Sequence, residues 1–144
     1  MAEIYAISIS SNKGVPKENV AEAELIEDHG IKSDAHAGNW HRQISLLALE
    51  SIEKMKSKGL DVVPGNFAEN ITTKGLSLLK LPLKSQLKIG DNIILEITQH
   101  GKECHNRCAI YEQAGDCVMP KEGIFAKVIK GGTIKPGDDI EVLK

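Results

Sequence analysis

The apolar residues of this 144-residue chain come in short runs that alternate with polar ones and end at turn-forming residues, a pattern that suits half-buried strands and favours a curved sheet or barrel over a doubly wound fold. "EIYAISIS" (residues 3–10) alternates and stops at "SNKG"; "VAEAELIE" (20–27) alternates likewise and is expected to be one strand. "AENITT" and "QLKIG" are shorter candidates. "NIILEITQ" (92–99), opened by a "GD" turn, is the strongest. "GIFAKVIKGG" and "GDDIEVLK" are expected to be two strands joined by a hairpin-like "GGTIKPG". Two segments break the strand pattern. "ISLLALESIEKMKSKG" (44–59) begins as a strand and continues as an amphipathic helix, with Leu49, Ile52 and Met55 at helical spacing and Gly59 placed to end it. "NRCAIYEQAG" (106–115) has the length for about three helical turns closed by Gly115. Seven or so strands with two helices make the expected class mainly β (α+β), a curved sheet or closed barrel carrying a few short helices.

At this length the chain can bury a core without disulfide or metal staples, and one domain over residues 1–144 is expected. A net charge of −2 gives no electrostatic reason for nucleic acid or an anionic membrane as a partner, and 3% aromatic residues argue against a base-stacking surface. No apolar run approaches the roughly 18–20 residues that span a bilayer, and the N-terminus lacks the basic start and apolar centre of a signal peptide, so the cytoplasm is the expected compartment. There is no glycine-rich phosphate motif of either standard type. "DHGIKSDAHAGNWHRQ" (28–43), with three histidines and two of the glycines flanking them, has no helical or strand period and reads as a long loop, a place where function concentrates.

Five of the eight cysteines and histidines fall between residues 98 and 117: His100, Cys104, His105, Cys108 and Cys117. If a strand ends near Gln99 and a helix starts near Asn106, Cys104 sits just before a helix N-terminus, where unpaired N–H groups and the helix dipole favour an anion. Lys102, Arg107 and a protonated His105 add positive charge, with Glu103 opposing them; the balance favours a thiolate, nucleophilic or metal-ligating. Free cysteines more commonly pack as small apolar groups. The polar neighbours of Cys104 argue against that fate, whereas Cys108, beside Ala109 and Ile110, suits it. A zinc held by His100, Cys104, Cys108 and Cys117 is the competing reading, although no C-x-x-C pair occurs and Gly101 interrupts the helix such spacing needs.

Taken in order, "GIKSDAHAG", "RQISLLALE", "VPGNFAENITTKGL", "LKIGDNIILEITQHGKECH" and "GDCVMPKEGIFAKVIKGG" resemble the MOSC domain, the family named for the C-terminal domain of molybdenum cofactor sulfurases. The resemblance covers nearly the whole chain and is to the small stand-alone form. It implies a strand-rich barrel and a cysteine, at Cys104, that carries sulfur as a persulfide or contacts molybdenum. The pyridoxal-phosphate desulfurase domain of the sulfurases has no counterpart in these residues, so pyridoxal phosphate belongs to a partner cysteine desulfurase or other sulfur donor. The acceptor is then a molybdoenzyme or its cofactor.

The other segments supply further candidates. Lys32, Asp34 and His36 alternate, and present an ammonium, a carboxylate and an imidazole on one side if the segment is extended, a set suited to an anionic ligand. The competing reading is a turn in which Asp34 caps backbone and His36 is solvated. Family members usually have glycine where Ser33 stands. Arg42, whose planar fork matches phosphate, is the first choice to hold the phosphate of a pterin, with a surface ion pair as its alternative. Glu69 and Asn70 are expected to fix a loop and line the pocket. The functional expectation is a sulfur carrier or molybdenum-cofactor-binding protein in which Cys104 is nucleophile or metal ligand, His100 or His105 moves protons, and Lys32, Asp34, His36, Arg42, Glu69 and Asn70 hold the ligand. The alternatives are a molybdenum-cofactor-dependent reductase of N-hydroxylated compounds and a structural-metal regulatory module.

Overall fold

In the computed structural model, residues 2–10, 17–34, 37–38, 40, 43–57, 59, 63–64, 69–76, 78–100 and 123–143 are described. Among them are eleven strands: β1 (Ala2–Ile9), β2 (Glu18–Val20), β3 (Ala23–Ile26), β4 (Gly30–Ile31), β5 (Ile44–Ala48), β6 (Ile71–Lys74), β7 (Gln86–Ile89), β8 (Ile93–His100), β9 (Ile124–Lys130), β10 (Gly132–Ile134) and β11 (Asp139–Leu143). Among the described residues one α-helix, α1 (Leu49–Ser57), follows β5 directly, and a 3-10 turn covers Leu78–Lys80.

Seven strands in the order β11-β7-β8-β9-β5-β6-β1 form a closed barrel, because β1 also pairs with β11 at Ala2–Ile140 and Glu3–Asp139. β2 extends this sheet from β1, and β10-β3-β4 form a separate three-stranded sheet. Closure leaves no free edge in the barrel itself. The alternation read in the sequence is what the wall uses: in β8, Ile93, Leu95 and Ile97 are buried while the residues between them are partly exposed. Ile4, Ile7, Ile44, Leu46, Ile71, Leu87, Ile89, Ile124 and Val128 complete the same core. Each fully buried Leu or Ile contributes about 1.5–3 kcal/mol.

β5 and β6 are the parallel pair, with Leu46 opposite Ile71. Parallel neighbours need a crossover, and α1 lies in it. β5 is buried on both faces because α1 covers the outer one with Leu49, Ile52 and Met55. Gly59, at φ +92, stands where the helix was expected to end.

Three expectations change. Residues 20–27 are two strands, since β2 pairs with β1 and β3 with β10, and the chain switches sheets at Ala21–Glu22. The 28–43 segment contains β4, whose Gly30 and Ile31 pair with Ile26 and Leu25; two residues are too few to show a period. The "GGTIKPG" connection contains β10, which pairs antiparallel with β3, and Gly131 just before it lies so near that a Cβ there would run into the Leu25 carbonyl oxygen. The helix expected at 106–115 lies outside the described residues.

Candidate functional site

The "GIKSDAHAG" segment folds as a turn. The Asp34 N–H donates to the Ile31 carbonyl (3.1 Å), the Lys32 N–H to Glu24 (3.0 Å), and the Gly38 N–H reaches back to His29 (2.7 Å). Ser33 is in the left-handed region at φ +73, a conformation that costs an L-residue about 1–2 kcal/mol. A glycine would take this conformation without that cost. Because the segment turns, Lys32 and Asp34 diverge: Lys32 is exposed and Asp34 is 7% exposed.

Asp34 points into the protein. Its Oδ1 accepts from Lys17 Nζ (2.8 Å) and from the Ser10 N–H (3.1 Å), and Lys17 also donates to Ser10 Oγ (3.2 Å). Neither side chain of the ion pair has any solvent exposure. Asp34 thus accepts backbone hydrogen bonding, as in the turn reading, but from a residue 24 positions away, at the end of β1. Lys17 carried no signal in the sequence, where a lysine between Pro16 and Glu18 reads as solvated surface.

The start of β5 is fixed with equal economy. Gln43 donates through Nε2 to Asp28 Oδ1 (3.1 Å) and accepts at Oε1 from the Val128 N–H (2.9 Å), joining the β3–β4 turn to β9. Gly30, at φ +123, approaches so near that a Cβ there would lie 2.7 Å from the Gln43 carbonyl oxygen.

Asn70 precedes β6 and ties three strands. Its Oδ1 accepts from the Ser45 N–H (2.9 Å) and Oγ (3.2 Å), and its Nδ2 donates to the Ser8 carbonyl (3.2 Å). Its main-chain N–H donates to Ser45 Oγ (3.0 Å), and its carbonyl accepts from Ser8 N–H (2.7 Å). Glu69 is fully buried beside it and accepts from Thr72 Oγ1 (3.2 Å). His100 ends β8, exposed, with Nε2 hydrogen-bonded to the Leu81 carbonyl. A carbonyl can only accept, so the proton is on Nε2 and the lone pair of the neutral ring is on Nδ1.

The described candidates lie along one arc of the barrel wall. Ser10 follows β1, Asn70 precedes β6, Ser45 is in β5, and His100 pairs with Ile124 of β9, which pairs with Leu46 of β5. His100 is thus two strand spacings, about 10 Å, from β5. The segment 101–122 leaves β8 and returns in β9, so it is rooted at one end of this arc. Cys104, His105, Cys108 and Cys117 on that segment, and His36 and Arg42 upstream, lie outside the described residues. Among the described residues no three His, Cys, Asp or Glu side chains cluster as a metal would need. No helix among them is long and apolar enough to cross a membrane.

A family model described as the MOSC domain matches residues 33–141, which include Asp34, both partners of the β5–β6 pair and the segment carrying Cys104. The chain belongs to the MOSC family. Its fold is shared with the crystal structure of the YuaD protein from Bacillus subtilis (TM-score 0.82, 20% identity, 98% of this chain and 94% of that one). It is also shared with YiiM from Geobacillus stearothermophilus (TM-score 0.75, 20% identity, 100% and 76%) and YiiM from Escherichia coli (0.67, 17%, 99% and 68%). Such identities carry the barrel and not an activity. No curated protein matches the MOSC chain in sequence.

Proposed function

We propose that this MOSC protein accepts sulfur as a persulfide on Cys104, or binds the molybdenum cofactor through that thiolate, and delivers it to a target molybdoenzyme in the cytoplasm. The observation that carries the anionic-ligand part of this reading is the charge arrangement at the Asp34 turn. Lys17 cancels the Asp34 carboxylate inside the protein, so Asp34 does not offset the exposed Lys32 ammonium two residues before it. Family membership supports Cys104 as the working thiol.

In the sulfur reaction the Cys104 thiolate attacks the outer sulfur of a donor persulfide. A new S–S bond forms at Cys104, the donor's own S–S bond breaks, and the donor sulfur leaves as a thiolate with that electron pair. His100 or His105 would manage the protons; on His100 the Nδ1 lone pair, turned away from Leu81, would take the Cys104 thiol proton and, from the imidazolium so formed, return it to the departing donor thiolate. Pyridoxal phosphate acts only on the donor desulfurase.

In the cofactor reading Lys32 and Arg42 would hold the phosphate of the molybdenum cofactor and the Cys104 thiolate would ligate the metal; Lys32 is the member of that set among the described residues, exposed at the Asp34 turn. When bound, that group supplies a redox-active metal centre. The test is to incubate the full chain with a cysteine desulfurase and sulfur-labelled cysteine. The expected result is the mass of one labelled sulfur on the Cys104 peptide of wild type and none in Cys104→Ala. Equal labelling of both, or of neither, removes the carrier reading. Stoichiometric molybdenum and pterin in the purified protein would exclude a bare sulfur carrier, turnover of an N-hydroxylated compound by that protein would select the reductase, and stoichiometric zinc with unfolding on chelation would select the structural-metal module.

A further inference from the structure

Asp34 lies at the middle of a turn that would not keep its shape unaided. The preceding residue, Ser33, is held at φ +73, a strained state that persists only where its surroundings over-determine it. On one side the Lys32 N–H is tied to Glu24 and on the other the Asp34 N–H to Ile31, and the Ala37 N–H donates to the Asp34 carbonyl (3.2 Å). These bonds all lie within the turn and its own small sheet. The Asp34 side chain reaches from the turn to the barrel, through Ser10 N–H at the end of β1 and Lys17 Nζ.

A fully buried ion pair is a poor device for stability alone, because the cost of desolvating both charges offsets most of their attraction; what such a pair supplies is one fixed geometry. Both side chains here are inaccessible, so neither touches a ligand approaching from solvent. We propose that Lys17 and Asp34 are a positioning pair that fastens the Ile31–Gly38 turn to the end of β1 and so presents Lys32 to an anionic ligand. Lys17 neutralises the carboxylate that does the fastening, which an uncharged donor would not do. The role in ligand presentation rests on the proposed function; the fastening does not.

The two parts are tested separately on the full chain with Lys17→Met, Asp34→Leu and the double variant. The readouts are the urea midpoint, amide hydrogen exchange, and affinity for inorganic molybdate as the probe. In the double variant neither member of this pair is left buried without the other, and its midpoint is expected to recover most of what each single variant loses. Its Ser10, Ala37 and Gly38 amides should nevertheless exchange at least about tenfold faster than wild type, a local opening in the sense of subglobal exchange. The amides of Ser45, Ile97 and Val128 in the barrel wall should not change, and molybdate affinity should fall by about fivefold or more, a loss typical of removing preorganisation. Wild-type exchange at the three turn amides overturns the proposal. So does acceleration that appears equally in the barrel wall, which would make the pair a contributor to global stability only. If wild type does not bind molybdate, the anionic-ligand reading fails while the exchange data still decide the fastening. Should the double variant not fold, Asp34→Asn, which keeps an acceptor for Ser10 and strands the lysine, must show the same localised acceleration, and its absence overturns the proposal equally.

Discussion

Replacing Asn70 with alanine leaves the Ser45 N–H without its side-chain acceptor and the Ser8 carbonyl without its side-chain donor, bonds of 2.9 and 3.2 Å between residues that are at most 1% exposed. A buried polar group left unmatched costs about 1–3 kcal/mol. A carbonyl short of one donor costs less than an N–H with no acceptor, so the Ser8 loss belongs at the low end and the Ser45 N–H, with its one proton, nearer the middle. Together they predict a loss of about 3 kcal/mol, measured as a lowered urea midpoint at unchanged slope, or about 10 °C in Tm for a chain of this size. Asn70→Asp sharpens the test. It keeps the acceptor for Ser45 but turns a second oxygen toward the Ser8 carbonyl, and burial beside a carbonyl disfavours the ionised form, so the carboxyl titrates above its unfolded value near 3.9 in this variant. Stability relative to wild type is then greatest below about pH 4, where the protonated acid can donate to Ser8, and is lost as pH rises. A cost under about 1 kcal/mol for Asn70→Ala, or an Asn70→Asp penalty flat between about pH 4 and 8, would refute the role assigned to this side chain.

Ser33→Gly should raise stability by about 0.5–1 kcal/mol in thermal melts, since relief of the left-handed strain exceeds the added freedom of the unfolded chain; a loss would place the Ser33 strain elsewhere. Gly30→Ala should cost about 2 kcal/mol or more, because its Cβ would meet backbone and not a yielding side chain at φ +123, and a neutral effect in urea unfolding would contradict that contact. His100→Gln can keep a donor to the Leu81 carbonyl while losing the ring's Nδ1, so it should fold normally yet accept labelled sulfur more slowly by about 10²-fold if His100 moves the proton. An unchanged rate assigns that step to another group such as His105.

The barrel strands with a single buried face were legible because their period survives in short windows: β1, β7, β8 and the β5–α1 junction all stand where alternation and helical spacing put them. β4 and β10 were not, since two or three residues cannot display a period and their pairing is decided by which strand the fold brings beside them. For the candidate site, the sequence pointed to the turn at 30–38 and to Asn70, but not to what Asp34 meets. A lysine 17 positions away becomes its partner only when the end of β1 arrives beside the turn, and no local pattern encodes that meeting. Ser33 is the intermediate case: the departure from the family's glycine marked the position, and its positive φ is one that a glycine would take without strain.

The central claim, a working thiol at Cys104 that carries sulfur, is tested most directly by cyanide treatment of wild type and Cys104→Ser loaded by a cysteine desulfurase under the same conditions. Cyanide takes the outer sulfur of a persulfide as thiocyanate and returns the thiolate. About one thiocyanate per chain from wild type and none above background from Cys104→Ser is the predicted result, given attack by a single activated thiolate. Equal release from both proteins, or none from wild type, would contradict it.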